Sequence, residues 1–176
     1  MKVNRKAILP LGFRASALAS GIKKSGKLDL TLFYSRKPAK AVCVFTTNTI
    51  TAAPIKVCRQ NIKKSKQFQA ILVNSGNANC FTGRYGIKDA LQTAKAVASA
   101  LGIKKENTLV ASTGIIGKRL PVRKILRAIP GLVKGLSAAG IDKAKKAILT
   151  TDTFAKEITV KFNIGKNTIT LCGIAK

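Results

Sequence analysis

Three loops hold the side chains that could do chemistry, and all three are built from hydroxyl, amide and glycine residues. The first, Asn74, Ser75, Gly76, Asn77, Ala78 and Asn79, combines a glycine that permits positive φ with amides able to tie a loop to its own backbone. It reads as an ordered turn or as a ligand contact. The second runs from Ser112 through Thr113 and Gly114 to Gly117. Two glycines there follow a strand, so that backbone N–H groups could converge on an anion or a developing oxyanion. An ordinary turn competes equally. Gly117 and Lys118 invite comparison with a phosphate-binding loop, yet only two residues separate the glycines and Arg119 follows the lysine, so the G-x-x-x-x-G-K-[ST] spacing fails. A helix amino terminus near Leu120 to Val122 would add positive dipole. The third loop, Thr150, Thr151, Asp152, Thr153, suits a cap or turn between helix and strand. Lys176 is, by type alone, one cation among 33.

Much other chemistry is excluded. The chain has no histidine, so Cys-His zinc sites and His-based triads are absent from it. Its six carboxylates are isolated in sequence and suggest no acid/base dyad. Cys43, Cys58, Cys80 and Cys172 sit singly, with no CxxC spacing, and read as buried free thiols in a reducing compartment. No metal is expected. The formal charge of +27 raises nucleic acid as a partner, but the cations come in ones and twos, as at Lys23-Lys24, Lys63-Lys64, Lys104-Lys105 and Lys145-Lys146, without aromatic interleaving. That pattern reads as solvated faces. A basic RNA-binding module is the alternative it leaves standing, and a partner segment of opposite sign would also explain the imbalance.

The elements that must position these loops follow from periodicity. Lys27 to Tyr34 alternates as a strand, and a second β-rich run resumes after Pro38 through Ile50. Ala52 to Pro54 is a bend, and the following IKVCRQNIKKS fits a short strand or a helix start. Phe68 to Val73 is an unbroken apolar run, expected to be buried on both faces. Asp89 to Leu101 reads as a helix closed by Gly102, completing a β-loop-α unit. Thr108 to Ser112 is a short strand leading into a turn-rich loop, and the helical pattern after Pro121 is interrupted at Pro130 and Gly131. Asp142 to Leu149 is a third helix. Two strands joined at Gly165 end the chain. With 46% apolar residues spread along 176 positions, one domain covering residues 1–176 is expected. The fold class is α/β (α+β), with layered sheets packed against helices. Basic, apolar and ASALAS segments in the first 20 residues mimic a leader, but the apolar part is short and contains Pro10. A cytoplasmic chain with no membrane span is expected.

Read together, VNSGNAN, STGIIG, TTDTF and the terminal GIAK occur in the order and spacing of the ornithine acetyltransferase family. GFRAS at Gly12 to Ser16, GIK at Gly21 to Lys23, DLTL at Asp29 to Leu32, VFTTN at Val44 to Asn48 and AAP at Ala52 to Pro54 also resemble its amino-terminal landmarks. The likeness spans nearly the whole chain.

That resemblance implies an arginine-pathway enzyme moving acetyl from N-acetylornithine to glutamate. In such a family a precursor cuts itself before a threonine, whose new α-amino group serves as base for its own hydroxyl. The acetyl group rests on that Thr in a ping-pong scheme. Carried over by position, Thr113 and Gly114 resemble the oxyanion-stabilising pair, and Thr150 and Lys176 resemble substrate contacts. The resemblance further implies a β chain of the same precursor as partner, an α2β2 assembly, no bound cofactor, and acetyl-CoA as an optional co-substrate. The family continues past GIAK to the scissile bond. The nucleophile is thus expected outside these residues, which alone should be inactive; an inactive remnant is the other reading.

Overall fold

Strand formation starts where apolar residues alternate. A computed structural model describes all residues, 1–176. Phe13–Leu18 (β2), Leu30–Ala39 (β3), Phe68–Asn77 (β4) and Thr108–Ile115 (β5) form a four-stranded sheet in the order β2-β3-β4-β5. The first three are antiparallel neighbours and β4 pairs with β5 in parallel. The register aligns Leu32 with Leu72 and Leu72 with Val110, so one face carries a continuous apolar stripe. Three helices cover it: α1 (Ala53–Lys64), α2 (Gly83–Leu101) and α3 (Val122–Lys134). Val57, Val97, Ile125 and Leu132 from these helices join Leu30, Leu32, Ala70 and Leu72 in the main core.

On the other face α4 (Ile141–Ala147) buries Ile141 and Ala144 with Ala7 and Ala15, and Phe33, Cys172 and Ile174 pack around them. A second sheet, ordered β1-β6-β7, contains Lys2–Asn4 (β1), Lys156–Ile164 (β6) and Asn167–Ala175 (β7). Lys145 on α4 is buried and its ammonium lies 2.7 Å from both Glu157 oxygens on β6 and 2.9 Å from Asp142. Glu157 also accepts the Ala7 N–H at 2.7 Å. One lysine thereby joins α4 to the second sheet, and the pairing holds the Glu157 and Asp142 carboxyls below their usual range while raising the lysine.

The mixed α+β class and the β-loop-α unit are found as expected, and Gly102 closes α2 in the left-handed conformation at φ 66°. Gly165 (φ 58°) turns the final hairpin. Several details differ. The run after Pro38 forms no second strand: β3 continues to Ala39, and both its sides are already taken by β2 and β4. Val42 and Val44 therefore face solvent at 94% and 96% exposure, while Cys43 and Phe45 pack inward. The ambiguous IKVCRQNIKKS is helix α1, with Pro54 in the first turn, where its missing N–H costs nothing. β4 is buried on one face only, since Ile71 on the other is 40% exposed.

Helix α2 begins at Gly83 rather than Asp89. Gly86 belongs there by packing: a methyl on it would meet Thr82 Oγ1 at 1.9 Å. Helix α3 runs through Pro130 unbroken. The proline costs about 3 kcal/mol, but the buried Ile125, Ile129 and Leu132 on the same helix each return about 1.5 to 3 kcal/mol. Strand β2 uses the segment that mimics a leader, with Ala15 fully buried. Of the paired lysines read as solvated, Lys145 is buried and Lys23 is half-buried. The four thiols are free, but only Cys58 is buried.

β5 is the outer strand of its sheet. In its first half α1 meets the outward groups: the Cys58 thiol donates to the Val110 carbonyl at 3.1 Å and accepts the Val110 N–H at 3.3 Å, and Asn61 Nδ2 donates to the Thr108 carbonyl at 2.8 Å.

Candidate active site

The parallel strands β4 and β5 end side by side, and ligands in sheets of this kind sit beyond the carboxyl ends of the strands. There Ser75 pairs with Thr113 and Gly76 with Gly114. The strand continues through Thr113, Gly114 and Ile115, which were expected to be loop, because Gly114 at φ 130° lets the two backbones close up. A methyl on Gly114 would lie 2.5 Å from the Gly76 carbonyl carbon and 2.7 Å from the Asn77 nitrogen. Only glycine fits.

The loops after both strands are stitched together. Asn77 Nδ2 donates to the carbonyls of Lys118 (3.0 Å) and Arg119 (3.2 Å), and the Ala78 N–H donates to Ile115 O at 2.9 Å. Asn74 Nδ2 donates to Asn77 O at 2.8 Å, and Asn74 Oδ1 accepts from Ser112 Oγ at 2.6 Å. Asn79 Nδ2 bonds Gly86 O at 2.9 Å. These amides are thus occupied in building the loop. The expectation that both glycines of STGIIG offer free N–H groups is corrected at Gly117, whose N–H donates to Cys80 O at 2.9 Å.

A second wall comes from the turn after α4. Thr150 is exposed, and its N–H donates to Asp152 Oδ2 at 3.0 Å. The same oxygen receives the Lys176 ammonium at 2.5 Å, and Lys156 lies 3.6 Å from the other oxygen. Lys176, followed by the Thr150 N–H, holds the Asp152 carboxyl well below the ordinary carboxylate range. The third loop is therefore more than a cap: Asp152 joins Thr150 to the end of β7.

A third wall is the Gly21–Leu28 loop, organised by a side chain to which sequence reasoning assigned no role. The Asp29 carboxylate is completely buried and accepts from Ser20 N (2.6 Å), Ser20 Oγ (2.8 Å), Ile22 N (2.7 Å) and Lys23 N (3.0 Å). Its only sequence signal was a lone acid opening an apolar strand. Lys23 was read as part of a solvated face, and Asp152 only as part of a capping turn.

Between the walls lies a cavity of about 1370 Å³. Thr113, Gly114 and Thr150 all line it; Lys176 does not, but is held to the lining carboxylate of Asp152. Lys23, Lys24, Lys27, Lys118, Arg119, Lys124 and Lys146 line it against one acid, Asp152. Such a cavity attracts anions. Burial lowers the Lys23 ammonium more than neighbouring Asp29 raises it. Pro121 and Lys124, at the start of α3, complete the expected helix amino terminus at the rim. No group of three or more His, Cys, Asp and Glu side chains is placed to hold a metal ion, and no helix is long and apolar enough to cross a membrane.

Comparison with known proteins identifies the lineage of this arrangement. The sequence profile of the ArgJ family matches residues 14–176. The chain belongs to the ArgJ family. It is 50% identical over 171 residues to the arginine biosynthesis bifunctional protein ArgJ of Caldanaerobacter subterraneus subsp. tengcongensis, covering 97% of this chain and 42% of that protein. Against the ArgJ protein of Gloeobacter violaceus it is 48% identical, covering 94% and 41%. The chain thus spans about two fifths of these relatives. Among solved ArgJ-type structures, the Mycobacterium tuberculosis ornithine acetyltransferase complexed with ornithine superposes with a TM-score of 0.92 at 36% identity, over 99% of this chain and 93% of that one. The Bacillus halodurans ArgJ structure gives 0.91 at 32% identity, over 99% and 94%. The layered ArgJ fold, distinct from a Rossmann sheet, is therefore the fold of this chain.

Proposed function

We propose that the cavity is the α-side half of an acetyltransferase site that moves acetyl from N-acetylornithine to glutamate. The observation that carries this reading is the facing of two walls across one cationic cavity: Thr113 and Gly114 at the end of β5, and Thr150 with the Asp152–Lys176 pair after α4. Membership of the ArgJ family supports it, as does the likeness to the M. tuberculosis ornithine acetyltransferase.

The nucleophile in this reading is the amino-terminal Thr of a second chain, cut from the same precursor. Its hydroxyl oxygen attacks the acetyl carbonyl carbon while its α-amino group takes the proton. The Thr113 hydroxyl and the Gly114 N–H stabilise the resulting oxyanion. The C–N bond then breaks, and ornithine leaves with the proton. Glutamate's amine attacks the acetyl-threonine ester, giving N-acetylglutamate and restoring the threonine. Lys176, with further N–H groups beyond the one given to Asp152, meets a substrate carboxylate, and Thr150 orients the substrate by a hydrogen bond. Acetyl-CoA serves as an optional acetyl donor, no cofactor is bound, residues 1–176 act as one domain, and an α2β2 assembly works in the cytoplasm.

The test is reconstitution. Co-expressed with the remaining segment of the C. subterraneus relative, beginning at its threonine, the chain should exchange acetyl between N-acetylornithine and glutamate, and alone it should not. A stable reconstituted pair that transfers no acetyl would end this assignment.

A further inference from the structure

Lys23 belongs to the loop wall of the cavity, yet its side chain reaches the two other walls. Its ammonium donates to the Leu28 carbonyl at 2.7 Å and to the Leu149 carbonyl at 2.8 Å. Leu149 is 126 residues away and immediately precedes Thr150. The alkyl stem lies against the strand wall: a methyl on Gly76 would come within 3.1 Å of Lys23 Cγ, and Gly76 backs Gly114. The Lys23 backbone N–H is held at 3.0 Å by the buried Asp29 carboxylate, which fixes Ile22 as well. A half-buried lysine with fixed main chain, a packed stem and two carbonyl partners is not a solvated cation.

We propose that Lys23 is a positioning residue for acetyl transfer, its ammonium holding the Thr150 segment and its stem bracing Gly76 behind Gly114. The separation of the substrate-side wall from the oxyanion-side wall is then set by one side chain, whose own root is set by Asp29. This rests on the acetyl-transfer reading above. Misplacement of a positioning wall shows in kinetics before it shows in stability.

The two parts of the side chain separate by substitution. Lys23→Met keeps a stem of similar length and deletes both carbonyl bonds. In the reconstituted enzyme it should raise KM for N-acetylornithine about 10-fold and leave kcat within about twofold. Lys23→Ala removes the stem as well, so kcat should also fall, by about 10-fold. Lys23→Arg, which keeps donors for both carbonyls, should bring KM back to within about threefold of the parent. Hydrogen exchange gives a readout independent of activity: in Lys23→Met the Thr150 amide should exchange faster, with the amides of α1 unchanged. If the parent pair transfers no acetyl, the functional reading fails, and the exchange experiment still decides whether Lys23 holds the wall. An unchanged KM in Lys23→Met, equal kinetic losses in the Met and Ala variants, or an unaltered Thr150 amide would each overturn the proposal.

Discussion

Gly114 lies in parallel register with Gly76, so close that a methyl on Gly114 would sit 2.5 Å from the Gly76 carbonyl carbon. The contact is backbone to backbone and has no flexible side chain to yield. Gly114→Ala should therefore cost at least about 3 kcal/mol, combining overpacking with strain at φ 130°. Gly117 offers the internal comparison: it also has positive φ, 71°, but nothing within 4 Å. Gly117→Ala should cost only about 1 to 2 kcal/mol. Urea midpoints of the two variants test this, and equal losses would mean that crowding at Gly76 contributes nothing.

Thr113 stands beside that contact and lines the cavity. If its hydroxyl meets the oxyanion, Thr113→Ala should lower kcat of the reconstituted enzyme by about 100- to 1000-fold while changing KM only slightly. Steady-state kinetics with N-acetylornithine decide this, and comparable losses in both constants would contradict an oxyanion role.

Asp152 and Lys176 should behave as a unit, because the ammonium and the Thr150 N–H share one carboxylate oxygen. Asp152→Asn and Lys176→Met should each raise KM by about 10-fold, and the double variant should lose much less than the product of the two. Multiplying losses would show that the two act separately.

The Lys145 cluster sets a pH window for stability. Glu157 and Asp142 have folded pKa values below their unfolded ones. Their contribution is complete above the ordinary carboxylate range, about 4, and is lost as pH falls through the depressed values. Lys145 is raised, so its contribution is complete below about 10.4 and is lost as pH climbs through the raised value. Thermal melts should thus show a plateau at neutral pH with loss on both limbs. Glu157→Gln should lower the plateau and flatten the acid limb; an unchanged acid limb would place the sensitivity elsewhere.

Part of this architecture was legible from residue order. The strand signals at Lys27 to Tyr34 and FQAILV, the helix stopped by Gly102 and the hairpin at Gly165 are local, and each marks an element, although β3 runs from Leu30 to Ala39 with Leu30, Thr31 and Leu32 all buried and β4 is covered on one face only. The run after Pro38 misled because alternation reports a wetted face and an inward face, which Val42, Cys43, Val44 and Phe45 do have, without reporting whether a neighbouring strand exists. Strand β2 was invisible for the opposite reason: Ala15, Ser16 and Ala17 have weak β preference, and the strand owes its place to pairing with β3. At the site, Thr113 and Gly114 end strand β5 and Thr150 follows α4; their residue types drew notice, and their roles came with the family resemblance. Asp29 and Lys23 could not be picked out, because what they bind is main chain, and although Asp152 stood in the third loop its pairing with the far terminus could not be read there. Nothing in DLTL says that three backbone N–H groups will converge on that carboxylate.

The thiol of Cys58 has a role that concerns many copies of the chain rather than one. An outer strand with idle amides and carbonyls is a template on which another extended chain can grow. On β5 the N–H and carbonyl of Val110 are engaged by that one sulfur, and Asn61 engages the next carbonyl along. Burial pushes the Cys58 thiol up, keeping it in the protonated form that resists oxidation and alkylation. Resistance of this edge to pairing with another copy is therefore written into one unreactive thiol and one amide of the same helix, rather than into the chain's charge.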